Sequence, residues 1–224
     1  PLTITPSSNL TIFSPTDVPK VLTNNDPASV ELGVKFVSAS SGEITGIRFY
    51  KSAQNTGTHT GSLWTSTGTL LASATFTSET ASGWQQVNFA TPVRITAGVT
   101  YVASYHTNVG AYSSTDFYFD NQGTTNGSLT ATGSGLNGVY AYGAGPLFPN
   151  EVSIAKGDNY WVDVVFDNTS QRPQANDDGG FVVTEDGTLS ISAATLLAND
   201  TDPAGLALSV TGVSGGVHGS ASYD

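Results

Sequence analysis

Hydrophobic and polar positions alternate along most of this chain with a period of two. In Glu31-Leu32-Gly33-Val34-Lys35-Phe36, the residues Leu32, Val34 and Phe36 fall on one face. In the stretch from Tyr160 to Phe166, one face carries Tyr160, Val162, Val164 and Phe166, and the other carries Trp161, Asp163 and Val165. Strands are predicted over Val30–Val37, Gly46–Tyr50, Gly61–Trp64, Leu70–Phe76, Gln85–Phe89, Thr100–Tyr105, Gly138–Tyr142 and Tyr160–Phe166. Short alternating runs between Gly, Asn and Asp turns read as a sandwich or barrel. No segment shows a helical stripe, and Ala193–Ala198 is at most a short turn. The fold class is therefore all-β, with Phe36, Phe49, Phe76, Phe89, Tyr101, Val164 and Phe166 assigned to the inner layers.

Composition supports that picture and narrows the chemistry. Only 11% of the 224 residues are charged, against about 25% in an ordinary domain. Thr, Ser, Gly and Asn fill their place and favour strands and turns. There is no Cys, so neither disulfides nor a thiolate metal site is available. A net charge of −11 disfavours nucleic acid, which needs a basic stripe. No apolar run approaches the length of a membrane span, so no membrane insertion is expected. Pro1 opens directly on polar sequence, so the chain reads as a mature or excised segment.

The charge balance shifts near residue 168. Residues 1–168 hold eleven acidic and six basic residues, and residues 169–224 hold seven and one. The polar, Pro-containing stretch 169–175 reads as a linker between a domain over 1–168 and a second over 176–224. The second begins with Ala175-Asn176-Asp177-Asp178, continues through Glu185-Asp186 and reaches Leu196-Leu197-Ala198-Asn199-Asp200-Thr201-Asp202-Pro203. These three motifs resemble the cadherin-like repeats of very large bacterial exported adhesins. The resemblance implies an immunoglobulin-like sandwich, cut short here at Asp224, of a kind often stiffened by calcium. Where such repeats read Asp-Pro-Asp-Gly-Asp, this chain reads Asp202-Pro203-Ala204-Gly205-Leu206, which removes two carboxylates.

The first domain carries its own signature. The segments Glu31–Phe36, Gly46–Lys51, Asn55–Trp64, Glu79–Val87, Ala97–Tyr105 and Asn159–Phe166 resemble a bacterial secreted β-sandwich family of unknown function over about residues 10–167. That family occurs beside immunoglobulin-like repeats and carbohydrate-active modules, which implies a place on the bacterial cell surface or outside the cell, while the strand alternation and the many turns suggest a jelly-roll-like sandwich.

Candidate chemistry falls into two groups. Sugar sites pair an aromatic wall with a few placed polar groups. Two loops offer that combination: one near Tyr50 and Lys51 with Asn55 and His59, the other from His106 to Tyr118 with Tyr112 and Asp116. The competing reading makes His59 a turn-stabilising hydrogen-bond partner and packs Tyr112 and Tyr118 beneath their loop. Calcium is the expected cofactor, since it takes roughly six to eight oxygen ligands and would brace a chain without disulfides. Candidate ligands are Asp26, Glu31 and Asp163 in the first domain, and Asp177, Asp178, Glu185, Asp186, Asp200 and Asp202 in the second. The alternatives are a carboxylate held by backbone donors or Arg48, and a solvated acidic linker. No nucleophile elbow is present, and His59, His106 and His218 lack metal-site spacing. Glu79, Asp116 and Asp120 carry no local mark of a glycosidase pair. The expected function is a non-catalytic module of an adhesin or exported protein that binds a glycan or other cell-surface ligand beside neighbouring domains of its chain. The alternatives are a structural spacer and an accessory module of a carbohydrate-active enzyme.

Overall fold

The computed structural model describes residues 9–120, 122–153, 157–168, 174–202, 207–213 and 220–222. The chain divides into two compact units, Pro1–Asn168 and Thr169–Asp224. Residues 169–173 of the expected linker, the turn 203–206 and His218 lie outside the described residues.

Among the described residues of the first unit there are eleven strands: β1 (Val30–Ser38), β2 (Gly42–Lys51), β3 (His59–Thr65), β4 (Leu70–Thr75), β5 (Gly83–Ile95), β6 (Thr100–Thr107), β7 (Thr124–Asn126), β8 (Leu129–Ala131), β9 (Val139–Tyr142), β10 (Glu151–Val152) and β11 (Val162–Asp167). The larger sheet runs β10-β9-β1-β6-β3-β4, with β8 also on β1 and β7 on β8. The smaller runs β11-β2-β5. Every pairing is antiparallel. The chain switches sheets five times, from β1 to β2, β2 to β3, β4 to β5, β5 to β6 and β10 to β11. It is thus an all-β sandwich with two antiparallel sheets.

Alternation places the core. Leu32, Val34 and Phe36 of β1 face Ile47 and Phe49 of β2 and Val162, Val164 and Phe166 of β11, and all are buried. Phe49 stacks on Tyr105 at 4.1 Å and meets Phe76 edge-on at 4.9 Å. All seven residues assigned inward from the sequence are buried. The sheets approach closely where β3 crosses β2, because a Cβ on Gly61 would fall 2.9 Å from the Ile47 Cβ.

Both outer faces are partly covered. Against the larger sheet, Trp64, Val102 and Val139 form a second cluster under Phe148 and Val152. On the smaller sheet, Leu10 exchanges two backbone hydrogen bonds of 2.8 Å with Phe166, which closes the open edge of β11. Trp84 lies on this outer face, 6.2 Å from Phe13 and with the Arg48 guanidinium 4.4 Å over its ring. The strand expected from Tyr160 begins at Val162, since Trp161 sits at φ +56, a region an extended L-residue does not occupy.

In the second unit, Gln174 bridges Thr201 and Ser192 caps a one-turn helix, α1 (Ala193–Leu196). None of its described residues is buried.

Candidate functional site

The smaller sheet has three strands, and a cleft opens beside β1 and β9 of the larger one. There, β9 alternates Val139-Tyr140-Ala141-Tyr142. Val139 belongs to the outer cluster, so Ala141 also faces outward and Tyr140 and Tyr142 turn inward beside their register partners Leu32 and Val30. Tyr112 and Tyr160 complete a cleft of about 230 Å³, with Asn24, Ser114, Asp116, Ser153 and Asp158 on its walls. The rings meet edge to face: Tyr112 with Tyr160 at 5.7 Å, Tyr140 with Tyr142 at 5.5 Å, and Tyr140 with Tyr160 at 6.4 Å.

Backbone pairing holds the walls. Thr115 and Asn159 exchange two hydrogen bonds of 2.9 Å, which ties the loop carrying Tyr112 and Asp116 to the segment carrying Asp158 and Tyr160. The Asn24 amide donates to the Tyr112 carbonyl and to Ser114 Oγ, both at 3.0 Å. Tyr142 is half exposed, at 51%, and donates its hydroxyl to Asp26 Oδ2 at 2.7 Å. That hydrogen bond raises the Tyr142 pKa, and burial raises those of Tyr160 and Tyr112. The three phenols therefore stay protonated, with the Tyr142 proton held by Asp26. Apolar ring faces, two carboxylate acceptors and neutral donors are the chemistry that recognises a pyranose, with its apolar face and hydroxyl rim.

Tyr112 and Asp116, expected as ligand contacts, line this cleft. Tyr118 lies in the neighbouring depression, edge-on to Trp161 at 5.7 Å. The other loop is closed. His59 and Asn55 are fully buried, so neither can meet an external ligand, and the hydrogen-bonding role for His59 is the one the structure adopts. His59 Nδ1 donates to Glu79 at 2.8 Å, and its Nε2 faces the Asn55 amide at 2.9 Å. Lys51 Nζ pairs with Glu79 at 2.7 Å, and Thr107 Oγ1 meets the Asn55 amide at 2.6 Å. Burial lowers the His59 pKa despite the Glu79 carboxylate. Tyr50 packs edge-on against Trp84 at 5.7 Å, away from the cleft. His106 is buried with Nε2 3.1 Å from Ser29 Oγ.

The structure does not bring together Glu31 and Asp163, expected to share a calcium ion. Leu32 faces the core, so Glu31 faces the opposite side of the larger sheet. Val162 and Val164 face the core, so Asp163 lies on the outer side of the smaller one. Glu31 accepts from Ser104 Oγ at 2.5 Å and from the Leu147 N–H at 3.3 Å, and His106 Nδ1 lies 3.4 Å away without a hydrogen bond. Asp163 accepts from the N–H groups of Ile12, Phe13 and Val164 at 2.7, 3.3 and 2.7 Å and pairs with Arg48 at 2.7 Å. Burial pushes its carboxyl up to about 6, against the pull of Arg48 and those donors. Each of its oxygens takes two donors. Asp26 caps the Ala28 N–H at 2.9 Å and holds Tyr142. In the second unit, Asp200 accepts from the Asn176 N–H at 2.8 Å, and the Asp177 carbonyl accepts from Asn199 at 3.3 Å. Asp178, Glu185 and Asp186 are exposed, and Asp202 is partly so. Among the described residues, no three acidic or His side chains gather into a group able to hold an ion.

The sequence reading missed Asn24, Tyr140, Tyr142, Asp158 and Tyr160. The pattern Tyr-x-Tyr in a predicted strand placed two tyrosines on one face. Which face stays open depends on where the second sheet ends.

Residues 16–162 match the family described as domain of unknown function DUF4082, and the chain belongs to that family. Residues 170–224 match the bacterial Ig domain, in accord with the immunoglobulin-like expectation for the second unit. Bacterial Ig domains are typical of surface and extracellular proteins, so the chain is read as an extracellular surface module. Comparison with curated proteins finds no match. Among the described residues, no helix is long and apolar enough to cross a membrane.

Proposed function

We propose that this member of the DUF4082 family is a non-catalytic carbohydrate-binding module that seats a neutral sugar in the tyrosine cleft. One observation carries the reading: four tyrosines and two aspartates line one open cleft. The carboxylates accept from vicinal hydroxyls and repel uronates or sialates, in a chain of net charge −11. The cleft of about 230 Å³ lies below the roughly 300–1,000 Å³ of a drug-sized site, which suits a single ring. The adhesin role rests on the Ig-type neighbour and the same cleft, with a neutral surface glycan as the partner.

The test is calorimetric titration with soluble xylan, mannan, galactan and β-glucan, with reducing ends assayed in parallel. Binding is expected in at least one series. Tyr142→Ala should weaken it at least about tenfold, the effect of losing an aromatic anchor of ~1.4 kcal/mol. The melting temperature should barely move, because Tyr142 is half exposed. No binding in any series would sink the proposal. Release of reducing ends would make Asp116 and Asp158 catalytic and overturn the non-catalytic part.

A further inference from the structure

Beside the tyrosine cleft lies a second depression of about 580 Å³, whose lining includes Lys20, Thr115, Asp116, Phe117, Gln122 and Trp161. Asp116 belongs to both. We infer that the two depressions are successive subsites for one neutral oligosaccharide chain, with Phe117 as the platform beyond the first ring. The inference rests on the tyrosine cleft being a sugar site.

Three independent observations point this way. First, Phe117 is 61% exposed, the most exposed aromatic side chain among the large hydrophobic residues of the first unit. A phenyl ring left in water on a well-packed sandwich has no role in the core. Second, Phe117 and Trp161 both sit in the left-handed region, at φ +57 and +56. Bulky residues rarely adopt that conformation, which costs about 1–3 kcal/mol each and is enriched at ligand sites. Here both occurrences border one groove. Trp161 forms its buried floor and donates Nε1–H to Thr115 Oγ1 at 3.0 Å. Third, the two depressions are mechanically joined. Asp158, on the wall of the tyrosine cleft, accepts the Phe117 N–H at 3.1 Å through Oδ1 and so fixes the backbone that projects the ring.

The rim of the second depression is polar but not strongly charged. Lys20 and Gln122 supply donors, Thr124 a hydroxyl, and Asp17 and Asp116 acceptors. This alternation of an aromatic face with donors and acceptors suits a further neutral sugar unit better than an apolar peptide. The second depression is also the larger, so it has room for more than one ring once the first is anchored among the tyrosines. A monosaccharide would fill only the first and leave Phe117 bare.

A length ladder tests the inference. Neutral oligosaccharides of one to six units, from whichever series the polysaccharide titrations identify, are titrated against the wild-type chain, Phe117→Ala and Tyr142→Ala. Affinity of the wild type should climb at least about tenfold from the shortest binder to the longest. Phe117→Ala should flatten that climb, with a loss of about fivefold or more for long chains and none for short ones, in line with one stacking contact. Tyr142→Ala should weaken every length. Were Phe117→Ala to match wild type at every length, the second subsite would be refuted while the tyrosine cleft stood. Were no oligosaccharide of any length to bind the wild type, the cleft itself would fail as a sugar site, and the inference with it.

Discussion

Two clusters of aromatic, amide and carboxylate groups lie in the same sandwich, and their exposure sets them apart. Around His59, the polar atoms of Lys51, Asn55, Glu79 and Thr107 find one another, and the side chains are almost wholly shielded from solvent. Around Tyr142, similar groups line an opening. Residue type does not separate the two, since each holds a tyrosine, an asparagine and an acid. Closure does. A polar group shut in protein must be matched by a partner, and the matching is its function. A polar group left at an opening with its orientation fixed from behind is free to match something else. The comparison turns on whether neighbouring strands supply the partners or leave room for a ligand.

Removing a partner from a closed site should give the largest effect. Asp163 is fully buried and serves three backbone donors and Arg48. Asp163→Ala leaves a buried guanidinium and three N–H groups unmatched, and truncating one member of such a pair costs about 3–5 kcal/mol. Urea denaturation should show that loss. A change below about 1 kcal/mol would mean that the outer face of the smaller sheet is wetter than its geometry indicates.

A middle-sized effect should appear with pH. Burial holds the His59 imidazole below its usual value near 6.5, so the unfolded chain takes up a proton that the folded chain resists. The stability linked to neutral His59 is whole above about pH 6.5 and falls away as the pH drops below it, with a slope of at most about 1.4 kcal/mol per pH unit. The ring is faced by Glu79, Asn55 and the stacked pair Phe49 and Tyr105, with Lys51 beyond Glu79. Denaturation midpoints between pH 8 and 5 should therefore decline more steeply in the wild type than in His59→Gln. A wild-type chain that gained stability from this site on acidification would show instead that the Glu79 carboxylate outweighs burial and that His59 is held as an imidazolium.

The same comparison explains what was legible beforehand. Alternation alone sorted Leu32, Val34 and Phe36 from Glu31, and Val162 and Val164 from Asp163, and the structure keeps both divisions. Their mutual placement was not legible, because it depends on β1 and β11 belonging to different sheets. With that known, Glu31 and Asp163 must face away from each other. His59 and Asn55 looked like loop residues because their partner Glu79 lies twenty positions on, across the β3–β4 hairpin. Tyr112 and Asp116 were visible in a long loop rich in Tyr, Ser and Asp. Tyr140 and Tyr142 had the right period but no local sign that their face would stay open.

The smallest effect should come from calcium. The acidic residues that suggested it in the first unit are already matched: Glu31 by Ser104 and the Leu147 N–H, Asp163 by Arg48 and three N–H groups, and Asp26 by Tyr142 and the Ala28 N–H. An ion would have to displace these bonds before gaining its own oxygens. All three tryptophans, Trp64, Trp84 and Trp161, belong to the first unit, so thermal melting followed by their fluorescence reports that unit alone. A ligand at about a hundred times its Kd adds ~2.7 kcal/mol to the folded state, or roughly 5 °C or more for a domain of this size. Millimolar calcium against excess chelator should instead move the tryptophan melt by less than about 1 °C. A shift of several degrees, lost in Asp163→Asn but retained in Asp26→Asn, would return an ion to the outer face of the smaller sheet and undo the distinction between matched and open carboxylates.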